Sequence, residues 1–286
     1  MPLNSFIEED NFDTDKFYPV LMDAMGYEDE YYGLANDTDV RVLYYNKEHF
    51  REAGLDPEQP PTNWNELREY TEVLTEFNDD GSVDQMGFTP DMWMSNIQVH
   101  TLAWTNGGEF WDADGNPTFM NEKNLEAVEF IKEFQDFYGE DAMSSFRSEA
   151  GAMDHGAFVE EELSMVMDIG NLTRTILREN PDLDYGIATL PSEEEPVTYS
   201  AGFNYEIMDN DDDNKARAAW ELMKYITSEE VQKVFVDETG SLSANRFAAE
   251  ADEFIEDENW AEIVSTKWNM RDSSNLFMST QIGTER

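Results

Sequence analysis

The stretch DVRVLYYNKEHFREAGLDPEQPPTNWNELREY, residues 39–70, constrains the fold more than any other part of the sequence. Residues 40–45 are rich in β-branched and aromatic side chains and predict a β-strand. A short helix follows and ends at Gly54, since glycine readily adopts the left-handed backbone that closes a helix. A proline-rich turn then excludes helix until Thr62 or Asn63 caps the next one. This order of elements indicates an α/β fold.

Helix and strand patterns alternate along the rest of the chain. A short helix is predicted over residues 14–26, and the clearest amphipathic helix over residues 122–138. The apolar stripe predicted for this second helix comprises Leu125, Val128, Ile131 and Phe134. The stretches LSMVMDIGN, LDYGIATLP and AGFNYEIM predict strands, and the helical region after them is predicted to break near Thr227 and Ser228. Such alternation is typical of α/β proteins.

The charge of the chain is strongly unbalanced. It has 64 Asp and Glu against 18 Lys and Arg, which gives a formal net charge of -46. Like charges repel one another in a compact fold unless counterions screen them, so we expect a halophilic protein with a uniformly acidic surface. A disordered acidic chain is the alternative, but 40% hydrophobic and 13% aromatic residues favour a packed core. Nucleic acid is excluded as a partner because phosphate binding needs a basic surface.

Several kinds of catalytic and metal chemistry find no support in the sequence. The chain has no cysteine, so it has neither disulfides nor zinc–thiolate sites. His49, His100 and His155 are scattered, and a surface or hydrogen-bonded role fits each better than metal binding. Acidic turns at Asn78 and Asp112 lack the glutamate that a calcium loop carries at its twelfth position. We therefore predict no metal and no cofactor, whereas carboxylate pairs are too numerous to interpret.

Some aromatic residues lie outside regular helical stripes. Trp93 and Trp104 lie in or near Asn-rich stretches, and Tyr199, Phe203 and Asn204 share the stretch VTYSAGFNY. Aromatic rings beside amides and carboxylates suit carbohydrate, because a sugar offers apolar C–H faces for stacking and hydroxyl groups for hydrogen bonding. Core packing is the alternative role for each ring.

The stretch YYGLANDTDVRVLYYNKEHFREAGLDPEQPPTNWNEL closely resembles a segment of the extracellular solute-binding proteins, family 1, of ABC transporters. In the sugar-binding members a Tyr-Gly step leads into LYYNK, AGL, a proline-rich turn and a Trp-x-Glu-Leu helix start. The resemblance continues through NGGEFWDADGNPTF, LSMVMDIGN and KARAAWELMKYITSEEVQKVFVDETGSLSAN, and so covers nearly the whole chain.

This resemblance implies the type II periplasmic-binding-protein fold, in which two lobes joined by a hinge close over a ligand. Residues 1–38 and 200–248 would form the remnant of the N-terminal lobe, and residues 39–199 and 249–286 the C-terminal lobe. The first residues do not form a signal peptide, and the first lobe is expected to be incomplete. The chain is therefore expected to be a truncated form, at the N-terminus and also at the C-terminus, of a lipid-anchored cell-surface protein.

Motif positions also imply which residues contact the ligand. They are Asp39, Trp93, Asn171, Tyr199, Phe203 and Asn204. Asp39 lies six residues before Tyr45, where sugar binders have a carboxylate in the cleft, and its alternative role is to cap the hinge. Trp93 matches a stacking ring of the family, whereas Asn171 replaces a tryptophan that is usual there. Residues 199 and 204 flank the second crossing between lobes and have a structural role as their alternative.

Three functional hypotheses follow. The first is a monomeric, extracellular binding protein that captures a sugar or oligosaccharide and delivers it to an ABC permease in the membrane, without being an enzyme. The second is a carbohydrate-active enzyme that uses a carboxylate pair. The third is a non-functional fragment of a binding protein.

Overall fold

The computed structural model describes residues 1–90, 95–112, 114–149, 154–194, 197–198, 202–209, 211–256 and 258–269. The helices are α1 (Asn4–Glu9), α2 (Pro19–Ala24), α3 (Lys47–Glu52), α4 (Trp64–Leu74), α5 (Ser95–Thr105), α6 (Glu122–Tyr138), α7 (Glu140–Glu149), α8 (Asp154–Val159), α9 (Leu172–Glu179), α10 (Asp213–Ile226), α11 (Glu229–Thr239), α12 (Arg246–Ala249), α13 (Asp252–Ile255) and α14 (Glu258–Asn269). The strands are β1 (Gly26–Tyr27), β2 (Glu30–Tyr31), β3 (Gly33–Ala35), β4 (Asp37–Thr38), β5 (Arg41–Asn46), β6 (Glu76–Phe77), β7 (Val83–Gln85), β8 (Met165–Ile169), β9 (Tyr185–Ala188), β10 (Asn204–Glu206) and β11 (Leu242–Ser243).

The first of two compact units combines Met1–Val40 with Ser200–Ser265. Its antiparallel ladders pair β1 with β2, β3 with β10, and β4 with β11. The last two ladders join the two portions of the chain, and so does the stacking of Phe6 on the buried Trp220, at 5.7 Å between ring centroids. The resemblance assigned residues 249–286 to the other lobe, whereas residues 249–265 lie in this unit. The lobe assignment itself stays a prediction.

The second unit contains Arg41–Tyr199 and is built around β5. This strand pairs with β8 on one side and β9 on the other, both antiparallel. All six residues of β5 are buried, since helices and neighbouring strands cover both of its faces. Helices α4 and α6 pack together through Trp64 and Phe130, whose rings stack at 4.2 Å.

The predicted strand and helix order around β5 is confirmed. The strand begins at Arg41, and α3 follows it directly and ends before Gly54, whose φ is +77°. Asn63 caps α4 by accepting the backbone N–H of Glu66 at 3.0 Å. The predicted break in the late helical region is also confirmed, because Ser228 caps α11 directly after α10 ends. Capping depends on chemistry within one turn, and the sequence shows it directly.

Two helix predictions need correction. The helix predicted over residues 14–26 is only α2, because Pro19 occupies its first position and the preceding Phe17 forms a β-bridge with Asn245. In α6 the apolar stripe is wrong: Leu125 and Val128 are exposed. The buried positions of α6 are Asn124, Ala127, Phe130, Phe134 and Tyr138.

Candidate functional site

Residues 36–39 of the first unit run between two other chain segments. On one side, the backbone N–H of Asn36 donates to the carbonyl oxygen of Phe203 at 2.9 Å. On the other side, the N–H of Ala244 donates to the carbonyl oxygen of Asn36 at 3.0 Å, and β4 pairs with β11. This segment, which contains the predicted boundary between the lobes at residues 38 and 39, is therefore hydrogen-bonded along both of its edges.

A buried network of polar side chains holds the same segment at Asn36. The side-chain amide of Gln232 donates to Asn36 Oδ1 at 3.0 Å and to the carbonyl oxygen of Ile226 at 2.9 Å. Its oxygen accepts the hydroxyl of Ser243 at 2.6 Å. Buried polar groups that satisfy one another in this way favour a single arrangement of the backbone.

Asp37 connects this segment to the start of β10. Its Oδ1 accepts the backbone N–H of Phe203 at 2.6 Å. Burial raises the pKa of Asp37 above its ordinary value, the bond from Phe203 acts in the opposite direction, and the charge of Asp39 raises it further. Asp37 was not predicted from the sequence, although its spacing of two from Asp39 could have indicated that both carboxylates lie on one side of an extended segment.

The structure brings three of the expected ligand contacts to this edge of the first unit. Asp39 is half-buried and lies two residues after Asp37 in the chain. Phe203 has 77% of its surface exposed. Asn204 begins β10, and its exposed side-chain amide donates to Glu206 Oε1 at 3.0 Å and contacts Met25 Sδ at 3.1 Å. The exposed ring of Phe203 is thus next to Asn204 in the chain, and the Phe203 backbone is hydrogen-bonded to the segment that contains Asp39.

Asn171 belongs to the second unit and is described by itself. It follows β8 and is the N-cap residue of α9, but its exposed side chain makes no capping hydrogen bond. The remaining predicted contacts, Trp93 and Tyr199, lie outside the residues that the structure describes.

Two negative findings apply to the described ranges. Within them, no group of three or more histidine and carboxylate side chains is arranged to hold a metal ion. None of the helices in the same ranges has the length and apolar character that crossing a bilayer requires.

Comparison with known proteins identifies the family. The family model described as bacterial extracellular solute-binding protein matches residues 1–233. The chain belongs to this family. The resemblance seen in the sequence is thereby confirmed, and members of this extracellular family are known as binding proteins.

Relatives and solved structures agree with this family. The sn-glycerol-3-phosphate-binding periplasmic protein UgpB of Pectobacterium atrosepticum is 26% identical over 221 residues, which are 73% of this chain and 47% of the relative. CpMnBP1 with mannotriose bound has a TM-score of 0.83 at 24% identity, covering 94% of this chain and 68% of its own. Maltose-bound T. maritima MalE3 has a TM-score of 0.77 at 18% identity, with coverage of 94% and 68%.

These comparisons establish the fold of the chain as the type II periplasmic-binding-protein fold. The chain spans about half the length of the curated relatives it matches, namely 53% and 47% of two of them.

Proposed function

We propose that the chain binds a sugar or oligosaccharide as the substrate-binding component of an ABC importer and delivers it to a membrane permease. Membership of the solute-binding family supports this proposal. The observation that carries it is the exposed ring of Phe203, which is adjacent to Asn204 in the chain and whose backbone is hydrogen-bonded to the segment that contains Asp39. A sugar matches this combination because its C–H face stacks on the ring while its hydroxyls donate to the carboxylate and bond to the amide.

Charge favours a neutral ligand over a phosphorylated one. The name of one relative describes a glycerol-phosphate binder, whereas two structural neighbours carry mannotriose and maltose. Asp37, Asp39 and Glu206 lie around this edge of the first unit, and the whole chain has a net charge of -46. A phosphate would be repelled by these carboxylates, whereas uncharged hydroxyl groups can donate hydrogen bonds to them.

Calorimetric titration of the full chain with mannotriose and with maltose, in molar KCl, tests the proposal. Phe203→Ala should raise the Kd about fivefold, since the loss of a stacking ring costs about 1 kcal/mol. Asp39→Asn should raise it about tenfold, since hydrogen bonds to charged groups contribute about 1.5–3 kcal/mol and the amide keeps part of this. Phe247→Ala, at a half-exposed ring of the same unit, is the matched control and should leave the Kd unchanged. Sugar binding that survives in both Phe203→Ala and Asp39→Asn with unchanged Kd would contradict this site.

The other three predicted contacts, Trp93, Asn171 and Tyr199, remain part of the proposal. For Asn171 the support is an exposed side-chain amide that no capping bond uses. Asn171→Ala should weaken sugar binding while leaving the melting temperature within about 2 °C of wild type, as expected for a surface substitution.

An enzyme remains the second candidate, because Asp37 and Asp39 form a carboxylate pair. One member of this pair already accepts a backbone N–H, which favours a structural role for it. Incubation of the protein with mannotriose, followed by chromatography of the sugars, distinguishes the two. Release of shorter sugars above the buffer control would favour the enzyme.

The third candidate is a non-functional fragment, which non-cooperative unfolding in molar salt would support.

Under the binding proposal the protein acts outside the cell at its surface, as a monomer, in high salt and without a nucleic-acid partner. The extracellular family and the acidic composition support this setting. Unfolding at rising KCl concentration tests the salt requirement, and the midpoint should increase as counterions screen the acidic surface.

A further inference from the structure

We infer that Asp37 is a positioning residue, whose carboxylate holds the backbone of Phe203 and so fixes where the exposed aromatic ring of the proposed sugar site lies. The inference rests on the proposed sugar-binding function and adds a residue that does not itself need to touch the sugar.

Both backbone polar groups of Phe203 are held by the segment that contains Asp37. The N–H of Phe203 donates to Asp37 Oδ1 at 2.6 Å, and its carbonyl oxygen accepts the N–H of Asn36 at 2.9 Å. The ring itself is 77% exposed. Side-chain packing therefore restrains the ring little, and the two backbone hydrogen bonds fix the position of the Phe203 backbone from which the side chain extends.

The support beneath Asp37 is rigid enough for this role. Asn36 is buried and bonded to Gln232, and β11 is paired to the segment on its other edge. Gly202 lies so close that an added Cβ would be 2.2 Å from the carbonyl oxygen of Asp37. A side chain at position 202 would separate the two segments, so glycine is needed for the approach that lets the carboxylate reach Phe203.

Protonation should weaken the contact, because a hydrogen bond to a charged acceptor is roughly twice as strong as one to a neutral acceptor. Asp39 on the same segment and Tyr205 on β10 are the titratable groups that interact with Asp37, and the β11 residues paired to this segment, Leu242 and Ser243, carry no charge. Burial raises the pKa of Asp37, so the carboxylate accepts its proton at a higher pH than an exposed aspartate does. Acidification should therefore loosen Phe203 at a higher pH than the pH at which an exposed aspartate titrates.

The same pKa direction predicts how substitutions affect stability. A carboxyl group whose pKa is raised by folding contributes more to stability when protonated, and this contribution is lost as the pH rises through the folded-state pKa. At pH 7 the ionised Asp37 thus lowers global stability. Asp37→Asn, which keeps an oxygen acceptor and removes the charge, should consequently remain folded, so that an effect on Phe203 can be read in a stable protein.

The test is hydrogen exchange of the Phe203 amide in the full chain, by NMR at pH 7 in molar KCl, together with the Kd for mannotriose. Asp37→Ala should speed exchange of this amide about tenfold or more, and Asp37→Asn by less, since the amide oxygen is a weaker acceptor. The Kd should rise in the same order. In the wild type the Phe203 amide shift should follow the titration of Asp37 above the ordinary pKa of 3.8. Asp13→Ala is the matched control, because Asp13 accepts a backbone N–H at 2.9 Å in an exposed turn of the same unit.

Unchanged exchange of the Phe203 amide in Asp37→Ala, within twofold of wild type, would overturn the inference. Faster exchange with an unchanged Kd would overturn it too, because the ring would then not need its fixed position. A wild-type protein that binds no sugar while its Phe203 amide still responds to Asp37→Ala would instead refute the proposed function and leave the positioning contact standing. The two failures are therefore distinguishable.

Discussion

Replacing Gln232 with methionine should destabilise the first unit at the segment that carries the candidate site. Gln232 is 2% exposed, and its amide makes three hydrogen bonds, to Asn36, Ile226 and Ser243. Methionine has a similar length and fills irregular space well, so Gln232→Met removes the hydrogen bonds with little loss of packing.

The magnitude follows from the three partners that would be left buried. A buried polar group without a partner costs about 1–3 kcal/mol, which would give an upper range well above 3 kcal/mol if all three stayed unpaired. Ser243 keeps one contact, since its Oγ also accepts the N–H of Asn245 at 3.0 Å. We therefore expect a loss of about 3 kcal/mol in the free energy of unfolding, near the low end of this range.

Urea unfolding in molar KCl measures this loss, because urea leaves the ionic strength unchanged whereas guanidinium does not. Hydrogen exchange of the Ala244 amide, which donates to the carbonyl oxygen of Asn36, reports on the segment directly. Gln59→Met is the control: Gln59 is exposed, and its amide donates to Asp56 at 2.8 Å, so stability should change by less than about 0.5 kcal/mol. If Gln232→Met costs no more than this control, the network does not hold the segment.

Three further substitutions test other contacts. Trp64→Ala should lower the free energy of unfolding by about 3–5 kcal/mol, because Trp64 is 4% exposed and stacks on Phe130; a loss below about 1 kcal/mol in urea unfolding would contradict that packing. Gly202→Ala should lower the free energy of unfolding by about 1–3 kcal/mol and weaken sugar binding, because the added Cβ would meet backbone atoms, which cannot move away as a flexible side chain can. An unchanged Kd in calorimetry would argue against the close approach of the two segments. Hydrogen bonds from Lys224 and other donors hold the pKa of Asp10 well below its ordinary 3.8. The contribution of Asp10 to stability is therefore complete above pH 3.8 and is lost as the pH falls through the lowered pKa. In Asp10→Asn the free energy of unfolding should depend less on pH in the acid range, and an unaltered pH dependence would count against the contact.

Local chemistry made much of the fold predictable. The cap at Asn63, the glycine after α3 and the Ser228 break depend on residues within one helical turn of each other, and each was confirmed. The buried face of α6 was not predictable in this way. That helix carries two apolar stripes, and the stacking of Phe130 on Trp64, from another helix, determines which one is buried.

The candidate site was predictable only in part for a related reason. Asp39, Phe203 and Asn204 were predicted as ligand contacts because the family motif marks their positions, and their role stays a prediction. Asp37 was missed because its role depends on the Phe203 backbone, 166 positions further along the chain. No local pattern of residue types contains a contact of that separation, and only the folded structure shows it.

The long separations within the first unit also bear on the order in which the protein can fold. Its two portions are joined by contacts such as the N-terminal amine of Met1 with the carbonyl oxygen of Ile207, 206 positions apart. During synthesis β4 is made long before its partner β11, whereas β5, β8 and β9 of the second unit are all complete before β11 is made. The sheet of the second unit can therefore assemble while β4 still waits, with this strand edge unpaired, for β11.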